Sequence, residues 1–147
     1  MLNTKIKKGF SLIEVMCSLT VFSILFIQLV VIQVNNNKLK YYNYKMNEYV
    51  TIMEFIKNDL IYNSTYEEII QLKNSNNIYI TNENLKLDTI KKNNILNLFT
   101  NIKPHEENYL VLHIHEKEKL NLNLKIYGKV LNKNKIIECN ISKEKDL

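Results

Sequence analysis

The feature that most constrains this chain is the run from Phe10 to Val34, FSLIEVMCSLTVFSILFIQLVVIQV, which contains one charge, Glu14, and neither glycine nor proline. Coiled as an α-helix at about 1.5 Å per residue it reaches about 37 Å, more than the roughly 30 Å of a bilayer hydrocarbon core. A run this long and apolar is predicted to span a membrane. Lys5, Lys7 and Lys8 crowd its N-terminal flank. The positive-inside rule therefore predicts a cytoplasmic membrane protein of single-pass type, with residues 1–9 in the cytoplasm and the C-terminal portion outside.

A secretory signal peptide has a shorter apolar core, followed by a small-residue cleavage site. Here the small residue, Gly9, comes before the apolar run and directly after Lys7-Lys8. Cleavage at that point would remove a charged leader and keep the membrane helix. Glu14 is then the anomaly. A carboxylate placed in lipid costs about 2.5–3.5 kcal/mol on insertion scales, and such residues usually have a partner.

The segment Lys7-Lys8-Gly9-Phe10-Ser11-Leu12-Ile13-Glu14-Val15 resembles the cleavage and methylation motif of type IV pilins and type II secretion pseudopilins. The resemblance covers about the first quarter of the chain. It implies cutting by a prepilin peptidase between Gly9 and Phe10, and N-methylation of Phe10 as the new N-terminus. It also implies that Glu14 receives that amine, its own or a neighbour's, during assembly. The implied partners are other pilin or pseudopilin subunits, an assembly platform protein and its ATPase, and the membrane; the implied destination is a cell-surface or extracellular filament. Many major pilins interrupt this helix with a proline and a preceding glycine. Val31 and Ser23 stand in those neighbourhoods, and neither residue type occurs between Phe10 and Pro104, which leans toward a minor pilin or pseudopilin. The alternative from another class is an unprocessed, signal-anchored exterior domain with an unrelated partner.

Charge adds little. The formal net charge of +5 includes the three leader lysines, and all 20 basic residues are lysines scattered among 15 acids. Phosphate recognition needs clustered positive charge, so no direct DNA contact is expected. Cys17 and Cys139 lie in such different surroundings that a disulfide, which needs Cα atoms within about 7 Å, is not expected. Cys17 reads as a small apolar core residue and Cys139 as buried or free.

Beyond Val34, Asn35-Asn36-Asn37 marks the exit from the membrane. Leu39, Tyr42, Met46, Tyr49, Met53, Ile56 and Leu60 then recur at helical spacing, which predicts an amphipathic continuation to about Tyr62, ended by Asn63-Ser64. Downstream, alternation predicts strands: Ile78–Thr81 and Leu85–Leu87 as a hairpin, then Tyr109–His115, Leu120–Ile126 and Lys135–Ile141, the last after an Asn132-Lys133-Asn134 turn. Residues 64–77 and 91–105 read as connections, with a short helix at Ile95–Phe99. The expected fold class is α+β: a long N-terminal helix, half transmembrane and half amphipathic, packed on a small antiparallel sheet. The expected organisation is a leader over 1–9, an assembly helix over 10–34, its amphipathic continuation over 35–62 and a sheet region over 63–147.

His113 and His115 would share one strand face and could bind a metal with help from Glu106, Glu116 or His105. Solvated strand histidines are commoner, so no metal is expected. Glu67-Glu68, Glu106-Glu107, Glu116 and Glu118 read as exposed charges. No nucleophile–base arrangement, phosphate loop or cofactor fingerprint occurs. The chain is therefore not expected to be an enzyme, and no cofactor is expected.

Overall fold

The computed structural model describes residues 11–105, 107–116 and 119–144. The chain divides into two compact units, 1–40 and 41–147. Helix α1 runs from Leu12 to Asn58 and is followed by a π-helical turn, Asp59–Asn63. Within the first unit every described residue is exposed. Its hydroxyls bond to their own helix: Ser18 Oγ, Thr20 Oγ1 and Ser23 Oγ each donate to a carbonyl three or four residues back at 2.8 Å. Polar side chains satisfied in this way are compatible with an apolar surrounding. Cys17, read from sequence as a core residue, is exposed here, because its part of the helix has no protein around it.

The helical stripe turns inward gradually: Leu39 is exposed, Tyr42 and Met46 are half-buried, and the members from Tyr49 on are buried. Tyr49, Met53, Ile56 and Leu60 enter one core cluster with the sheet, and Ile52 joins them. The sheet is a four-stranded antiparallel meander in the order β1-β2-β3-β4, formed by β1 (Tyr79–Ile80), β2 (Tyr109–Glu116), β3 (Leu120–Val130) and β4 (Lys133–Lys143). Leu110 and Leu112 of β2 face the core, as do Leu120, Leu122, Leu124, Ile126 and Val130 of β3. Alternate residues face the other way and, apart from the buried Val111, are half-buried or exposed, close to the one-face-wet pattern of an antiparallel sheet. The fold is thus α+β, a long N-terminal helix with a small antiparallel sheet.

Two elements differ from the sequence expectation. Residues 66–74, read as a connection, form α2 (Tyr66–Asn74). Thr65 and Glu68 close a capping box at its start, and Ile69 and Leu72 enter the core. Leu85–Leu87 is not a strand: Leu85 is buried in a turn and Leu87 opens α3 (Leu87–Lys92). Two leucines separated by one residue fit either period in so short a segment. The Ile95–Leu98 segment is a short 3-10 helix, close to where one is predicted.

The β3–β4 hairpin turns on Leu131 and Asn132, both at positive φ. This is the geometry of a two-residue primed turn. It falls one residue earlier than the asparagine-rich triplet suggests, because asparagine tolerates that conformation and leucine rarely signals it. Gly128 lets the chain pass the Tyr49 ring: a Cβ there would lie 2.7 Å from Cε2. At the far end of the helix, Lys143 Nζ reaches from β4 to donate to the carbonyls of Leu60, Ile61 and Ser64. A cation at a helix C-terminus satisfies orphan carbonyls and opposes the helix dipole.

Candidate functional site

The first turn of α1 is built by a reciprocal pair. The Ser11 backbone N–H donates to Glu14 Oε2 at 2.8 Å, and the Glu14 backbone N–H donates to Ser11 Oγ at 3.3 Å. This is a capping box, with serine at the N-cap and glutamate three residues later. It satisfies two of the N–H groups that a helix start leaves orphaned. The glutamate therefore has a structural role at the helix start besides the one that the motif implies. Its carboxylate is exposed and held at the N-terminal end of the helix, next to Ser11. A negative group at that end is also favoured by the helix dipole.

Behind this turn lies a largely apolar surface, whose polar side chains before Asn35 are the self-bonded hydroxyls and the amides of Gln28 and Gln33. Leu12, Phe22, Leu29 and Val30 are among its exposed apolar side chains, and Phe22 stacks on Phe26 with ring centroids 6.4 Å apart. The helix that begins at Leu12 is long and apolar enough to cross a membrane, with a mean hydropathy of 2.5 in its most apolar stretch. The two neighbouring requirements, an anchored carboxylate and a lipid-compatible helix, meet within four residues.

Residues 4–27 match the prokaryotic N-terminal methylation motif. That is a prepilin-type signal, consistent with the type IV pilin and pseudopilin family. The match spans less than a fifth of the chain, taking in the lysine-bearing residues before Phe10 and part of the apolar run. No curated protein and no solved structure matches the chain. The motif and the apolar helix are together consistent with a pilin-like chain anchored in a membrane.

Of the residues singled out from sequence, Glu14 lies in the first turn of α1, as just described. Gly9, Phe10, Lys5, Lys7 and Lys8 lie outside the described residues. The Ser11–Glu14 box is absent from the sequence reading, although its signal was available: serine followed three residues later by glutamate, directly before an apolar run. That reading assigned Glu14 only to assembly and so passed over its bond to Ser11.

The remaining candidates do not converge on a catalytic arrangement. His113 and His115 are exposed on the wet face of β2. Glu116 is turned to α2, where it accepts from Tyr66 Oη and Lys73 Nζ, each at 3.0 Å. It is therefore engaged away from the two histidines. Glu107 pairs with Lys129 at 2.6 Å, Glu68 caps α2, and Glu67 is exposed. Glu106 and Glu118 lie outside the described residues. Among the described residues no group of three or more histidine, cysteine, aspartate or glutamate side chains could hold a metal.

Proposed function

We propose that the chain is the precursor of a minor pilin or pseudopilin, a structural and non-catalytic subunit. A prepilin peptidase cuts it after Gly9, Phe10 becomes the methylated N-terminus, and the apolar helix bundles with those of other subunits. The platform protein and ATPase of such a system would then draw it from the membrane into a filament. The observation that carries this reading is the Glu14 carboxylate, fixed at the head of a helix that holds no other charge before Lys38 and four residues from the amine that cleavage would create. A charge left alone there opposes insertion; paired with an ammonium it becomes a register mark between helices.

The leader supplies three lysines on one side of the span, and Lys38, Lys40 and Lys45 follow on the other, so their number alone sets no orientation. The leader's three lie within five residues of the span, against Lys38 alone on the other side, and that closeness favours a cytoplasmic leader. The scattered lysines of the exterior region support no direct contact with DNA.

The test separates processing from assembly. Glu14→Ala should still be cut after Gly9 and remain in the membrane, yet be lost from the sheared filament fraction by at least tenfold. Entry of Glu14→Ala into filaments at the parent level would remove the assembly role.

A further inference from the structure

The wet face of the sheet carries a depression of about 560 Å³, whose lining includes His113, His115, Asn121, Asn123, Lys125 and Asn140. The strand register sets them in rows. His113 pairs with Asn123 and Asn123 with Asn140; His115 pairs with Asn121 and Asn121 with Ser142. The two histidines alternate with Leu112 and Ile114, so both imidazoles stand on the same face. Two residues apart on a strand is about 6.5 Å. From that spacing two imidazole rings can converge on one ion bound at about 2.0–2.1 Å.

Asn123 is oriented by its neighbours on β4. Its amide nitrogen donates to the Glu138 carboxylate and to Asn140 Oδ1. Because a carboxylate accepts only, the nitrogen must face β4. The Asn123 oxygen is then turned from β4, and it is buried without a hydrogen-bond partner. A buried acceptor left unpaired is costly. Its register partner on β2 is His113. One ring N–H of His113 donated to that oxygen would fix the ring's tautomer and leave the other nitrogen's lone pair free, which is how metal-bound histidines are usually held.

We propose that His113 and His115 form a two-imidazole chelate for a divalent transition-metal ion such as zinc, with Asn123 as the residue that positions His113. Nitrogen donors select zinc, nickel or copper over magnesium or calcium. With two protein ligands, a tetrahedral zinc ion keeps two positions for water. The chelate is independent of the pilin reading, since it uses only the exterior unit.

Isothermal titration with zinc chloride tests it, using the full chain in detergent and free of any histidine tag. The parent should bind one zinc ion and ignore magnesium. His113→Asn and His115→Asn should each weaken binding at least tenfold, and Asn123→Ala about tenfold. His105→Asn and Cys139→Ser should leave the affinity unchanged, and all variants should keep the parent's circular dichroism. No zinc binding by the parent, or parent-like binding by the doubly substituted His113→Asn, His115→Asn chain, would overturn the proposal.

Discussion

The two units of this molecule treat apolar side chains in opposite ways. Every described residue up to Lys40 is exposed, including a dozen or more large aliphatic and aromatic side chains. From Tyr49 onward many of the same residue types are buried: Ile52, Ile56 and Leu60 of the helix share one core cluster with Leu112, Leu122 and Leu124 of the sheet. The hydrophobic effect stabilises the second region through its own tertiary structure. In the first region the same driving force can act only through a surrounding, whether lipid or other helices. A single helix, α1, is thus asked to satisfy two solvents, and its sequence changes character where the solvent changes.

That contrast can be broken by substitution. The largest effect should come from Leu124→Ala, which removes a fully buried side chain and should destabilise the second unit by about 2–5 kcal/mol. Leu25→Ala, exposed in the first unit, should change the same thermal melt by less than about 0.5 kcal/mol. Equal shifts from the two would mean that the regions are not energetically distinct. The reciprocal substitution is Leu25→Lys, which should oppose membrane insertion by about 2.5–3.5 kcal/mol and lower the membrane-bound fraction, with the melt unmoved.

Packing inside the second region can be sharpened at Gly128. Gly128→Ala would place a methyl against the Tyr49 ring. Overpacking of this kind should cost about 1–3 kcal/mol, and much less when Tyr49→Leu is already present. A double-mutant cycle on thermal melts measures the difference. Additive effects would show that the ring and the glycine are not coupled.

The smallest effect concerns acid. The Thr65 backbone N–H and hydroxyl hold the Glu68 carboxylate below its ordinary value of 4.5, and Asn123 followed by Lys125 does the same for Glu138. A carboxylate whose value is lowered on folding contributes stability above its unfolded value and loses it as pH falls through the folded one. The second unit should therefore lose melting temperature progressively below about pH 4.5, and the double variant Glu68→Gln, Glu138→Gln should lose less over the same range. Both carboxylates are exposed, so the effect is small.

How much could be read in advance follows from the same physics. The apolar run, the helical stripe and the strict alternation of Leu120 to Ile126 were legible because one long period dominates each. The turn at Leu131 and Asn132 was legible only to within a residue, because leucine rarely signals positive φ. The apolar spacing of α2 and α3 was not decisive, because two or three apolar residues fit more than one period. The starts of α1 and α2 do carry a signal in Ser11-x-x-Glu14 and Thr65-x-x-Glu68, each the pattern of a capping box. The buried oxygen of Asn123 had no sequence signal at all, since it depends on which neighbours a β4 register brings across.

The most direct test of the central claim is the intact mass of the protein taken from cells with and without a prepilin peptidase. The account expects a chain beginning at methylated Phe10 when the peptidase is present, and one retaining Met1 to Gly9 when it is absent. A chain that keeps the leader in both would contradict it, and the apolar helix would then be an anchor rather than an assembly element.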